Sequence, residues 1–219
     1  MQNECKWKGT HLIQKIVCFI PAMIASLPTL AGAANHIPNR DIAEAQVIRA
    51  ALVAAIGPRI RGYVLVPRVS ASFDCSRPAA DGFSWTASCS PMSAETASPE
   101  KTLDDIQDGL GPLSMEMRKN FLEANRKPRK FPVPLTAPFA VHQWSPGDSD
   151  ASLNAKGNPE YAVYLSRVGF SDDMRSALLY IGKINWTDQS KSSGDYMLLK
   201  KEPRRWVVVS TRRYWALID

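Results

Sequence analysis

His142 is the residue best placed by type to do chemistry in this sequence. It lies in Val141-His142-Gln143-Trp144, just ahead of a loop bearing Ser145, Asp148 and Asp150. An imidazole oriented by an aspartate is a general base, so the pattern would serve a small hydrolase. Such an enzyme also needs a nucleophile, and the sequence has no G-x-S-x-G elbow to supply one. The first expectation is therefore a structural histidine donating to a nearby carbonyl, with a small secreted hydrolase using His142 as the alternative. Asp104-Asp105 and Asp172-Asp173 are the other acid–base candidates. Adjacent carboxylates more often cap helices or form turns, and whether two carboxyls face one cleft cannot be read from spacing. The balance leans away from an enzyme, and nothing in the sequence calls for a cofactor.

Residues suited to binding are more numerous. Arg212 and Arg213 are neighbours on a strand and must point to opposite faces, so one of them needs an acid partner, water or an anionic ligand. Arg167 and Arg213 together on one sheet face would suit a small carboxylate or phosphate; the alternative is two arginines with acid neighbours. Among the tryptophans, Trp206 and Trp215 fall in strands and are expected in the core. Trp144 and Trp186 fall in predicted loops and could fill a partner's pocket, as an inhibitor of another secreted protein would need. Asn185-Trp186-Thr187 fits the glycosylation pattern, a three-residue pattern that also arises by chance. The stretch Glu95–Asp108 holds five acids and one lysine, and Arg118–Lys130 holds six bases and one acid. These runs are expected to lie near each other on the surface; a sharper reading makes Arg126, Lys127, Arg129 and Lys130 an anionic docking patch.

The first 33 residues set the compartment. Lys6, Lys8 and Lys15 precede an uncharged run over 16–34 that ends in Ala31-Gly32-Ala33, the pattern of a cleaved export signal. The competing reading is an uncleaved membrane anchor, which Pro21 and Pro28 interrupt. Cleavage would leave 186 residues with 24 Lys+Arg against 20 Asp+Glu, one domain of mild positive charge. No nucleic-acid partner is called for, and no second apolar run is long enough to span a membrane. A periplasmic or secreted protein is expected, with an envelope protein or a small anionic ligand as its partner. Cys75 and Cys89 are then most simply a disulfide, closing a loop of about 15 residues and contributing about 3 kcal/mol. With only His36 and His142 beside them, at no ligand spacing, a zinc site is not expected. A simple hairpin turning at 76–82 would set Cys75 opposite Phe83 and leave Cys89 too far away, so the bond requires an irregular loop.

The positioning elements follow from periodicity. Asp41 and Glu44 form an Asp-x-x-Glu cap pattern ahead of Val47, Ile48, Leu52 and Ile56, a helix that Gly57-Pro58 stops. Short extended pieces are expected at Tyr63–Val66, Val69–Phe73 and Phe83–Cys89, then helices at Thr102–Gly109 and Pro112–Ala124. Prolines 132, 134, 138 and 146 rule out a helix or a central strand in the arm that follows. Tyr161–Phe170, Ala177–Gly182, Tyr196–Lys201 and Trp206–Ile218 read as four strands of an antiparallel meander; the last has both faces apolar, so either both are covered or the strand bends at a bulge around Ser210–Arg213. Residues 34–219 are therefore expected to form a single α+β domain: a helical and irregular part (34–130), a Pro-rich arm and loop (131–158), and the sheet (159–219).

The segments Leu165-Ser166-Arg167-Val168-Gly169-Phe170, Ala177-Leu178-Leu179-Tyr180-Ile181-Gly182, Gly194-Asp195-Tyr196-Met197-Leu198-Leu199-Lys200 and Trp206-Val207-Val208 resemble the C-terminal part of a group of exported bacterial proteins of unknown function. The resemblance covers roughly the last 60 residues and implies an exported bacterial context without implying an activity. As fold analogy, helices before a curved antiparallel sheet are also similar to cystatin-like and nuclear-transport-factor-like folds, which host unrelated functions. The combined expectation is a non-enzymatic binding or accessory protein of the cell envelope.

Overall fold

In the computed structural model, which describes residues 39–58, 60–73, 98–145 and 159–216, the first helix is α1 (Arg40–Ile56). Its cap is Asn39, whose side chain accepts from the Asp41 N–H at 3.0 Å. The expected Asp41–Glu44 cap is thus replaced: Glu44 turns inward instead, toward Arg167. Ala43, Val47, Ile48, Ala51 and Leu52 form the buried stripe, where small alanines let the helix approach the sheet closely. The helix ends at Gly57, which adopts φ 92° and returns its N–H to the Val53 carbonyl.

The remaining elements are β1 (Tyr63–Pro67), α2 (Pro99–Leu110), α3 (Met115–Ala124), β2 (Val141–Trp144), β3 (Pro159–Leu165), β4 (Gly169–Phe170), β5 (Ser176–Asn185), a short 3-10 turn (Gln189–Lys191), β6 (Ser193–Lys201) and β7 (Trp206–Ala216). The strands form one seven-stranded sheet in the order β2-β1-β3-β5-β6-β7, with β4 also paired to β5. An α+β protein with a largely antiparallel sheet is what the sequence predicts. The expected four-stranded meander is too small a sheet, because β1 inserts between β2 and β3, parallel to both. All five residues of β1 are buried, and only a central strand gives such a segment partners on both sides. The Pro-rich arm leads into β2, which carries no proline of its own and forms one edge of the sheet. Val69–Phe73 contributes only an isolated bridge from Val69 to Lys130. The strand expected at Phe83–Cys89, together with Cys75, Cys89 and the leader, lies outside the described residues.

Helices cover both faces of the sheet. Along β5, Ala177, Leu179 and Ile181 join the core under α1, while Leu178 and Tyr180 join the core under α2 and α3. That alternation explains why β5 reads as a continuous apolar run. The predicted strand Tyr161–Phe170 is broken by a bulge: Leu165 pairs with Ile181 and Gly169 with Leu178, so three residues oppose two. Ser166 holds the break closed, accepting from the Tyr180 N–H through Oγ at 2.8 Å and donating its own N–H to the Tyr180 carbonyl. On β7 two register shifts leave Val209 and Tyr214 unpaired across the ladder, flanking the bend predicted at Ser210–Arg213.

Candidate functional site

Helix α3 has two faces with different surroundings. Ser114 caps its start, accepting from the Met117 N–H at 3.2 Å, and Asn125 caps its end. Met117 and Phe121, four residues apart, are buried against the sheet, with the Phe121 ring edge-on to Tyr196. On the outer face Met115, Arg118, Lys119 and Leu122 recur at three- and four-residue steps and, with Arg126 just past the helix end, line an open groove of about 1150 Å³. Phe73 and the start of α2 form its other wall. Met115 is 82% exposed, the most exposed large apolar side chain among the described residues.

The charges on this face fall into two groups. Arg118 is engaged: it donates to the Gln107 side chain at 2.7 Å and pairs with Asp104. The acidic run of α2 and the basic run of α3 therefore meet, as their composition predicts. Lys119 reaches Glu123 only at 4.0 Å across the helix surface. Arg126, Lys127 and Arg129 also line the groove and form no ion pair among the described residues. Lys130, the fourth base of the predicted patch, does not line the groove; its carbonyl accepts from Arg167 and its backbone bridges Val69. The apolar partners Met115, Leu122 and Phe73 were not among the predicted site residues. The signal was present as a second stripe on α3, Met115 and Leu122 seven residues apart.

Arg167 and Arg213 do not form one anion site. Arg167 sits on the β3–β4 bulge, and two strands, β5 and β6, separate β3 from β7. Its guanidinium makes a two-pronged contact with Glu44, both N···O distances 2.6 Å, and donates to the Lys130 carbonyl at 3.1 Å. Glu44 also accepts the Val168 N–H. Asn125 binds both backbone groups of Arg167, which ties the end of α3 to the bulge. Arg213 donates to Asp195 at 3.0 Å, and Asp195 accepts from Ser193 Oγ as well. Arg212 takes the opposite face and lies over Gly109 of α2. Each arginine thus has an acid or a helix as neighbour.

The remaining candidates are dispersed. His142 lies in β2, half-buried, with its ring edge-on to Tyr63 at 4.6 Å. Asp148 and Asp150, which would orient it in a hydrolase, lie outside the described residues. Trp144 ends β2 and is not in a loop: its carbonyl accepts the Arg68 N–H at 2.8 Å in the parallel ladder. Trp186 is on a turn and 53% exposed. The preceding Asn185 is buried, and its Oδ1 accepts from the Thr187 N–H, the Thr187 hydroxyl and the Asp188 N–H. The Asn-Trp-Thr triplet is a turn-forming unit. Of the predicted core tryptophans, Trp206 is buried, while Trp215 is half-buried and donates to the Tyr180 hydroxyl. Asp104 and Asp105 pair with Arg118 and Lys101, and Asp173 closes the β4–β5 turn through Ser171 and the Arg175 N–H. Among the described residues no His, Cys, Asp and Glu are grouped as a metal ion would need, and no helix is long and apolar enough to cross a membrane.

Comparison of the chain with family models, with curated proteins and with solved structures finds no match.

Proposed function

We propose that this chain is an exported, non-enzymatic binding or accessory protein of the cell envelope. The observation that carries the binding role is the groove along α3, where Arg126, Lys127 and Arg129, just past the helix end, line the same open surface as exposed Met115 and half-buried Leu122. Like charges gathered on one surface repel one another, and an anionic partner relieves that repulsion. The acids and bases that could serve chemistry elsewhere are occupied with each other: Glu44 with Arg167, Asp195 with Arg213, Asp104 with Arg118. Export is supported by the basic leader, the uncharged run and Ala31-Gly32-Ala33. Kinship with cystatin-like or nuclear-transport-factor-like folds belongs to the same proposal and is supported by helices laid across a bulged, mostly antiparallel sheet. A second reading, an inhibitor of another secreted protein, is favoured by the exposure of Trp186 on its rigid turn.

Expression of the full-length gene in a bacterial host tests the address. The periplasmic fraction should contain a product starting at Ala34, lighter by the two hydrogens of one disulfide. A product starting at Met1, or carrying two free thiols, removes the argument for cleavage and oxidation. Photo-crosslinking from Lys119 in the envelope should give adducts that vanish in the combined variant Arg126→Glu, Lys127→Glu, Arg129→Glu. Adducts unchanged by that variant, or hydrolysis of a test ester or peptide that is lost in His142→Ala, overturn the binding role.

A further inference from the structure

We infer that the groove along α3 receives an acidic amphipathic helix of a partner protein; the inference rests on the binding role proposed above. Met115 and Leu122 are seven residues apart and so lie two turns apart along one side of α3. That is the spacing at which the apolar anchors of a facing helix interdigitate. Methionine suits such a position because its unbranched side chain adapts to its partner. Lys119 lies beside the apolar pair along the groove, and Arg126, Lys127 and Arg129 extend the positive field past the helix end. The field complements acids placed beside the partner's apolar stripe.

The shape and the mixed rim favour a helix over a lipid surface. The groove is recessed between α3, the start of α2 and Phe73. A helix about 10 Å across enters such a recess, whereas a planar bilayer meets only its rim. Glu100 and Glu123 also line it. Two fixed acids oppose a uniformly anionic bilayer, but a peptide accommodates them with one or two bases of its own. Helix α3 has ten residues, so the contact spans about 15 Å and about ten residues of the partner.

The test uses the full chain and a labelled synthetic peptide of about a dozen residues, with Glu and Asp beside a Leu stripe at helical spacing. Fluorescence anisotropy should show saturable binding that weakens with salt, and circular dichroism should show the peptide gaining helix when bound. Arg126→Glu, Lys127→Glu and Arg129→Glu together should weaken it more than about tenfold. Met115→Ser should weaken it about threefold without moving the unfolding midpoint, because that side chain is already exposed. Equal affinity for a scrambled peptide without the stripe overturns the helix and leaves only a charge patch. Binding to phosphatidylglycerol vesicles in place of the peptide also overturns it. So does a chain that binds peptide only when residues 74–97 are replaced by a short Gly-Ser linker, which gives the groove to that segment. Absence of peptide binding while crosslinks still depend on the three bases overturns the acidic helix and keeps the binding role; loss of both overturns both.

Discussion

Glu44 leaves α1 at 3% exposure and meets the Arg167 guanidinium, which also donates to the Lys130 carbonyl and whose main chain Asn125 holds at both its N–H and its C=O. Removing one member of such a buried pair leaves the other charge without compensation. Glu44→Gln should therefore cost about 3 kcal/mol of folding stability, read from urea or thermal unfolding. Arg213→Ala should cost less, about 1 kcal/mol, because that side chain is 62% exposed and the buried Asp195 it leaves behind keeps its hydrogen bond from Ser193 Oγ. Equal losses in the two variants would contradict this ordering. Asn185→Ala should cost about 2 kcal/mol, since the three donors gathered on its Oδ1 lose their acceptor in a buried turn. Both acidic partners of Arg167 and Arg213 illustrate what residue types alone leave open. The requirement that one of Arg212 and Arg213 find a partner follows from strand alternation, but its partner, Asp195, is known only from the register between β6 and β7. Glu44 has the spacing of a helix cap, and its burial against a residue 123 positions away is a tertiary fact.

Where α3 crosses β4 the two backbones approach closely. A Cβ added at Gly169 would lie 2.5 Å from the Phe121 Cβ and 2.7 Å from its Cα. Backbone cannot yield as a flexible side chain can, so Gly169→Ala should force α3 outward and cost about 2 kcal/mol. Tryptophan or intrinsic tyrosine fluorescence during unfolding should report an earlier transition in this variant; an unchanged midpoint would show that the contact is slack. Because α3 also carries the groove, the same substitution should weaken the peptide binding inferred above. Helices α1 and α3 were legible from their apolar periods and their C-terminal stops, Gly57 and Asn125, within a few residues, whereas the cap that starts α1 was not. The bulge that splits β3 from β4 was not. A serine hydroxyl standing in the ladder looks like any other polar residue in a strand until its partner, the Tyr180 N–H, is placed opposite.

For the whole molecule, burial of the sheet face under α2 and α3 sets an alkaline limit. Burial raises the Tyr164 and Tyr196 hydroxyl pKa values well above the ordinary value of 10.0, and the neighbouring Tyr180 and Tyr214 add to the effect at Tyr196. The folded state thus holds these protons more tightly than the unfolded chain. The stability is intact below about pH 10 and is lost as pH rises from there toward the folded values. Lys183 acts in the opposite sense: burial lowers its pKa, so its cost is relieved as pH rises toward the ordinary value of 10.5. It is half-buried and single, so the tyrosines dominate. Urea midpoints should fall steadily above about pH 10, and tyrosinate absorbance from these two rings should appear only with unfolding. Ionisation that precedes unfolding would mean that the rings are open to solvent.

The sequence by itself determined the local quantities: where apolar residues recur at helical or strand spacing, which segments proline keeps out of helices, and which surface stretches carry opposite charge. These follow from steric limits and the burial of near neighbours, so they are written within a dozen residues. Only the tertiary structure decided that β1 lies between two parallel partners, that helices cover both faces of the sheet, and that Arg126, Lys127 and Arg129 share a groove with Met115, Leu122 and Phe73. Each of these depends on contacts between residues far apart in the chain, where loop closure leaves many pairings open and mutual packing selects one.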